Sequence, residues 1–138
     1  MIVLDTNILS GMMSGRSDRK LWAWLDRIPG RSAWITTITV YEVRRGIELL
    51  PAGQRRKALE EAFRFALSED LEGHVLPLDE AGARESAILS VQRQKAGRPG
   101  ELRDTLIAGI AISRGATIAT RNLRHFQDLP VDVVDPWG

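Results

Sequence analysis

Short apolar runs alternate with helical patterns along almost the whole of this chain, and that alternation leaves few folds open. The runs are IVLD at 2–5, AWITT at 33–37, HVLPLD at 74–79 and ATIAT at 116–120, with VDVVD at 131–135 as a weaker fifth. Each has the length of a strand buried on both faces. Between them, residues 18–28 place Leu21, Trp24, Leu25 and Ile28 at helical spacing, with Pro29-Gly30 as the stop. Helical patterns also cover 38–50, ending before Pro51, and 54–69, with Leu59, Ala62, Phe63, Ala66 and Leu67 on one side. Two more cover 80–96, running into the turn-rich AGRPG, and 103–114, ending near Gly115. The alternation predicts an α/β fold: a central, mostly parallel twisted sheet of four or five strands with helices on both faces. No repeat, low-complexity tract or long linker divides the chain, so a single domain over 1–138 is expected.

In such folds ligands bind beyond the carboxyl ends of the strands. Asp5 follows directly on the first apolar run, where it serves either as a helix cap or as the first ligand of a metal site. On a helical wheel for 38–50, Val40, Val43, Ile47 and Leu50 form the buried stripe. Glu42 lies on another side, between Ile38 and Leu49, pointing into a cleft or pairing with Arg45 or Arg31. Asp104 precedes an almost wholly apolar helix, a position that capping and the macrodipole also favour. Asn122 follows the fourth strand, as a cation or carboxylate partner or as a turn residue.

Composition narrows the chemistry. The chain has no cysteine, which excludes disulfides and thiolate zinc or iron–sulfur centres. Clustered carboxylates repel unless a cation neutralises them. Oxygen donors with only His74 and His125 beside them suit a hard ion, Mg²⁺ or Mn²⁺. Such an ion activates water and stabilises charge on a phosphoryl group. The N-terminus lacks the basic region of a signal peptide, and no apolar run approaches the roughly 18 residues of a membrane helix. A cytoplasmic chain with no membrane partner is therefore expected. Nineteen basic and eighteen acidic residues leave a charge of +1, so any nucleic-acid surface must be a local patch.

Five segments, MIVLDTNILS, ITTITVYEVRRGI, RPGELRDTLIAGIA, TIATRNLRHF and VVDPW, resemble in this order a PIN domain of the VapC/FitB toxin type. The resemblance implies a metal-dependent endoribonuclease, the toxin of a type II toxin–antitoxin pair. It also implies a homodimer, inhibited by a small VapB/FitA-like antitoxin in a heterotetramer or larger assembly. Carried over by position, Asp5, Glu42 and Asp104 would be the catalytic acids, holding Mg²⁺ or Mn²⁺ that activates a water to attack an RNA phosphodiester. Thr6 would orient Asp5, and Asn7 would brace the same turn. Asn122 matches a position where many relatives carry aspartate and others asparagine, and His125 stands where a further aspartate is common. Both changes remove negative charge, which favours one tight ion and a second recruited with substrate.

RNA also needs cations, since phosphate contacts dominate its affinity. Arg121 is the expected phosphate contact, with Arg16, Arg19, Lys20, Arg93, Lys95, Arg98 and Arg124 as further candidates. Trp24 shares the apolar stripe of its helix, whereas Trp22 lies off it, in an interface or in ordinary packing. One competing reading is a catalytically degenerate PIN-like module that binds RNA or protein, supported by Asn122 and His125. A phosphoacceptor signalling domain is rejected: Asp5 stands without a paired acid, and the last lysine, Lys95, precedes the fourth strand.

Overall fold

A computed structural model describes residues 1–28 and 32–138. The Pro29-Gly30 stop and Arg31 lie outside the described residues. Five parallel strands form the sheet: β1 (Ile2–Leu4), β2 (Ala33–Thr36), β3 (Val75–Leu76), β4 (Thr117–Ala119) and β5 (Val133–Val134), in the order β3-β2-β1-β4-β5. The strands are shorter than the apolar runs, because residues such as His74, Asp79 and Thr120 flank them in loops and caps. β1 is central, with Ile2 opposite both Ala33 and Thr117.

Alternation along β1 assigns the two layers. Leu4 packs with Ile8, Leu9, Leu21, Ile47 and Phe63 from α1 (Thr6–Met13), α2 (Arg19–Asp26), α3 (Thr37–Glu48) and α4 (Gln54–Phe65). Val3 faces the other way, towards Leu89 of α5 (Glu80–Lys95) and Ile107, Ile110 and Ala111 of α6 (Leu102–Arg114). Helices therefore cover both faces, as the alternation predicts. The pattern over 54–69 is not one uniform helix, since the chain loosens into a π-helical turn at Ala66–Asp70 after α4. α6 ends where expected, on Gly115, whose left-handed φ of 61° favours glycine.

Helices α5 and α6 cross at small residues. The Ser86 hydroxyl donates to the Gly82 carbonyl at 2.8 Å and reaches the Thr105 carbonyl at 3.3 Å. Trp22 is in the core rather than on a surface: its side chain is buried, its Nε1 donates to the Gly15 carbonyl, and Arg16 lies over its ring. Among the described residues, no helix is long and apolar enough to cross a membrane.

Candidate active site

The carboxyl ends of β1 and β4 and the start of α6 bring the sequence candidates to one end of the sheet. Asp5 is the N-cap of α1 and is only 5% exposed. Its Oδ1 accepts from the Thr6 amide at 2.8 Å, and its Oδ2 accepts from the Thr120 hydroxyl at 2.7 Å. Asn7 Nδ2 stands 3.4 Å from the same Oδ2, while Asn7 Oδ1 accepts from the Arg121 amide at 3.3 Å. The turn after β1 and the loop after β4 are thus tied together through Asp5 and Asn7. Burial holds the Asp5 carboxyl above its ordinary value, against the lowering effect of Thr120 and Thr6, and the Asp104 charge adds to the rise.

Glu42 projects from the first half of α3 towards α1. The Thr6 hydroxyl donates to Glu42 Oε1 at 2.8 Å and lies 3.0 Å from the Thr39 hydroxyl. The ion-pair partner of Glu42 is Arg103, at 3.7 Å, rather than Arg45. Thr6 therefore joins two of the expected acids, since its amide holds Asp5 and its hydroxyl holds Glu42.

Asp104 is not the cap of α6. Glu101 is, and its carboxylate accepts from the amides of Arg103 and Asp104. The half-buried Asp104 carboxylate is left to face His125, whose Nδ1 is 2.9 Å from Asp104 Oδ2. A carboxylate only accepts, so the imidazole carries a proton on Nδ1 when Asp104 is ionised. Burial raises the Asp104 carboxyl, His125 pulls it down, and the Glu101 and Glu42 charges push it up again. His125 thus adjoins the acidic cluster, at the position where the resemblance implies that a further aspartate is common. His74, the other histidine, stacks on Trp34 at 4.3 Å between ring centres.

Asn122 is exposed, and its amide donates to the Thr120 hydroxyl that holds Asp5. Arg121 turns away towards the C-terminal segment, with its guanidinium 3.8 Å from the centre of the Trp137 ring. That ring is fixed by a 2.8 Å bond from Trp137 Nε1 to Asp18. Arg93, one of the candidate RNA cations, is 5% exposed and already committed. It binds both carboxylate oxygens of Asp128 at 2.8 Å and the His125 carbonyl at 2.7 Å.

Arg93 therefore anchors the segment that carries His125. Arg93→Ala should cost about 2 kcal/mol, less than the ~3–5 kcal/mol of a fully buried pair because the Asp128 carboxylate is exposed to solvent, and Arg93→Lys should restore little, because lysine lacks the bidentate fork. Urea unfolding of the two variants checks this.

The donor set fits a hard divalent cation in its chemistry, with carboxylates placed at strand and helix ends and raised by burial and by one another. Among the described residues, no three acid or histidine side chains are grouped tightly enough to share one ion. That leaves the sparser arrangement typical of Mg²⁺, one or two carboxylates with waters and substrate oxygens, which Asp5 and Asp104 could supply.

The raised carboxyls also set a pH dependence. Asp5 and Asp104 bind a proton more tightly folded than unfolded, so stability from each falls as pH rises from 3.8 through the folded value. In EDTA, Asp5→Asn should gain on the wild type in melting temperature across that window; a constant difference would contradict the burial effect.

The PIN domain family matches residues 2–131. The chain is 34% identical over 137 residues to the VapC ribonuclease Y4jK of Sinorhizobium fredii, covering 99% of this chain and 98% of the relative. It is 31% identical over 137 residues to toxin FitB of Neisseria gonorrhoeae, covering 99% of each. Among solved structures, FitAB bound to a DNA fragment superposes with a TM-score of 0.87 at 31% identity, over 100% of this chain and 96% of that one.

Proposed function

The chain belongs to the PIN domain family, and from that membership we propose that it is the toxin of a toxin–antitoxin pair, acting as a divalent-metal-dependent endoribonuclease. The observation that carries the nuclease reading is the meeting of Asp5, Glu42 and Asp104 at the carboxyl end of the sheet, with Thr6 linking the first two. The full-length likeness to a relative named as a ribonuclease and to a toxin supports the same reading. One domain over 1–138, a VapB/FitA-like protein antitoxin and a homodimeric toxin core belong to the proposal. So do a cytoplasmic setting and an RNA substrate.

Asp5 and Asp104 would hold Mg²⁺ or Mn²⁺, which when bound supplies a Lewis acid for the phosphoryl oxygen and an activated water. The protein's own groups prepare that site. Thr120 and the Thr6 amide fix both oxygens of Asp5, so the carboxylate is aimed before substrate arrives. Glu42, held by Thr6, adds negative charge near Asp104 and can accept a proton from the attacking water. His125 fixes the rotamer of Asp104 and carries a proton beside the reacting phosphate.

The test is incubation of antitoxin-free protein with total cellular RNA in Mg²⁺, Mn²⁺ or EDTA. New discrete 5′ ends that require metal support the nuclease. The engagement of Asp104 by His125 favours the alternative of a non-cutting PIN-like module, and folded protein that cuts nothing in any arm would select it.

A further inference from the structure

Two openings adjoin the acidic cluster, and they differ in chemistry. One, of about 460 Å³, runs past Thr6 and Glu42 between α1, α3 and α4 and is walled mainly by Met13, Val43, Ile47, Leu50 and Leu59. The other, of about 300 Å³, opens on Asp104 and His125 and is bounded by the loop before α6 and the turn after β4. Its base is the buried Arg93, held rigid and charge-balanced by Asp128. Its rim carries Arg98 and Arg124, both exposed and neither within ion-pair distance of an acid among the described residues, with Arg98 near enough to Asp128 for its charge to lower that carboxyl.

The acids facing this cleft are already engaged. Glu101 holds Arg103 and the first amides of α6, Asp128 holds Arg93, and Asp104 faces His125. The two rim arginines are the cations left for a ligand. Gly100 keeps the space open, since a Cβ there would stand 2.6 Å from Arg93 Nη1. No phenylalanine, tyrosine or tryptophan lines the cleft, and its one aromatic ring, His125, is bonded to Asp104, so a stacking platform for bases is sparse.

Resting on the nuclease reading, we propose that this cleft is a phosphate subsite. Arg98 and Arg124 bind a backbone phosphate of single-stranded RNA flanking the one cut at Asp5 and Asp104. Its volume, at the small end of the ~300–1,000 Å³ of ligand pockets, suits one nucleotide unit and not a duplex. The strand leaves the acidic centre over the basic rim rather than through the apolar opening. With its only aromatic ring, His125, engaged by Asp104, the subsite contributes affinity and register but little sequence preference.

The experiment measures anisotropy of a labelled single-stranded RNA oligonucleotide in EDTA, where nothing is cut, over a range of salt. It compares wild type, Arg98→Ala/Arg124→Ala and the control Lys57→Ala/Arg84→Ala, which removes two exposed cations elsewhere. The rim variant should bind about tenfold more weakly, with the salt slope reduced by about 0.7 for each phosphate it no longer neutralises. The control should match wild type. In Mg²⁺, the rim variant should raise KM and keep kcat. Binding and KM equal to the control would overturn the subsite and leave the nuclease intact. Weakened rim binding in a protein that never cuts would keep the subsite and overturn the nuclease. Wild type that binds no RNA would overturn both.

Discussion

Replacing Asp5 with asparagine is expected to slow RNA cleavage about a thousandfold, ~4 kcal/mol of transition-state stabilisation, while leaving the fold no less stable. The two effects separate because Asp5 serves two masters. As a cap it needs only an acceptor for the Thr6 amide, which an asparagine carbonyl provides. Its second oxygen accepts from Thr120, and an asparagine NH₂ placed there would instead donate to the lone pair that the Asn122 amide leaves on that hydroxyl, at the cost of the acceptor for the hydroxyl's own proton. Meanwhile the substitution removes a charge that burial and Asp104 both disfavour. What is lost is the anionic ligand that a divalent ion needs. Initial cleavage rates with saturating Mg²⁺, paired with melting curves in EDTA, measure both halves. Asp5→Ala is the contrast, since it also loses the cap, worth about 1 kcal/mol. Cleavage by Asp5→Asn at wild-type rate would remove Asp5 from the catalytic set.

Gly109→Ala should be among the most damaging single methyl additions this fold can receive. The new Cβ would stand 1.9 Å from Ser86 Oγ, 2.6 Å from the Gly82 carbonyl oxygen and 2.7 Å from the Ser86 amide nitrogen. A hydroxyl can rotate away, but the other two atoms belong to the backbone of α5. Relief requires the helices to part, which exposes the apolar layer of Leu89, Ile107, Ile110 and Ala111 behind them. Overpacking of ordinary cores costs about 1–3 kcal/mol, and a backbone collision belongs at or above that limit. About 3 kcal/mol corresponds to a fall of ~10 °C in melting temperature for a chain of this size. Adding Ser86→Ala should recover only part, because the Gly82 carbonyl still blocks the methyl. A variant within about 0.5 kcal/mol of wild type by urea denaturation, the scatter of neutral substitutions, would mean that the crossing has slack. Activity should fall with stability, since Asp104 rides on α6 little more than one turn before Gly109.

The sheet was legible because buried parallel strands need continuous apolar runs, and each run here is followed by a helical period. The positions of Asp5, Glu42 and Asp104 were legible for a related reason: an acid set against apolar neighbours is costly unless something uses it. Their mutual arrangement was not. Thr6 to Glu42, Thr120 to Asp5 and Arg103 to Glu42 span 36, 115 and 61 positions, and no local pattern encodes such pairings. Arg93 is a candidate phosphate contact by sequence alone, because nothing near it reveals Asp128 35 positions later. Arg121 fell in the right loop, yet the stacking of its guanidinium on Trp137 depends on where the last residues of the chain come to rest. His125 is exposed, and its bond to Asp104 exists only once α6 and the turn after β4 are docked.

The central strand is synthesised first, but its neighbour on one side arrives more than a hundred residues later, when Ile2 meets Thr117. The hydroxyl that fixes Asp5 belongs to Thr120, just beyond that strand. A nascent chain that has not emerged past this point has an unfloored first strand and an unaimed carboxylate, however well its earlier helices have formed. Order of synthesis thus separates two events: a product that ends before Thr117 lacks both the strand that pairs with β1 on that side and the hydroxyl that aims Asp5. Under the proposed toxin function, that delay leaves an interval in which an antitoxin can already be waiting.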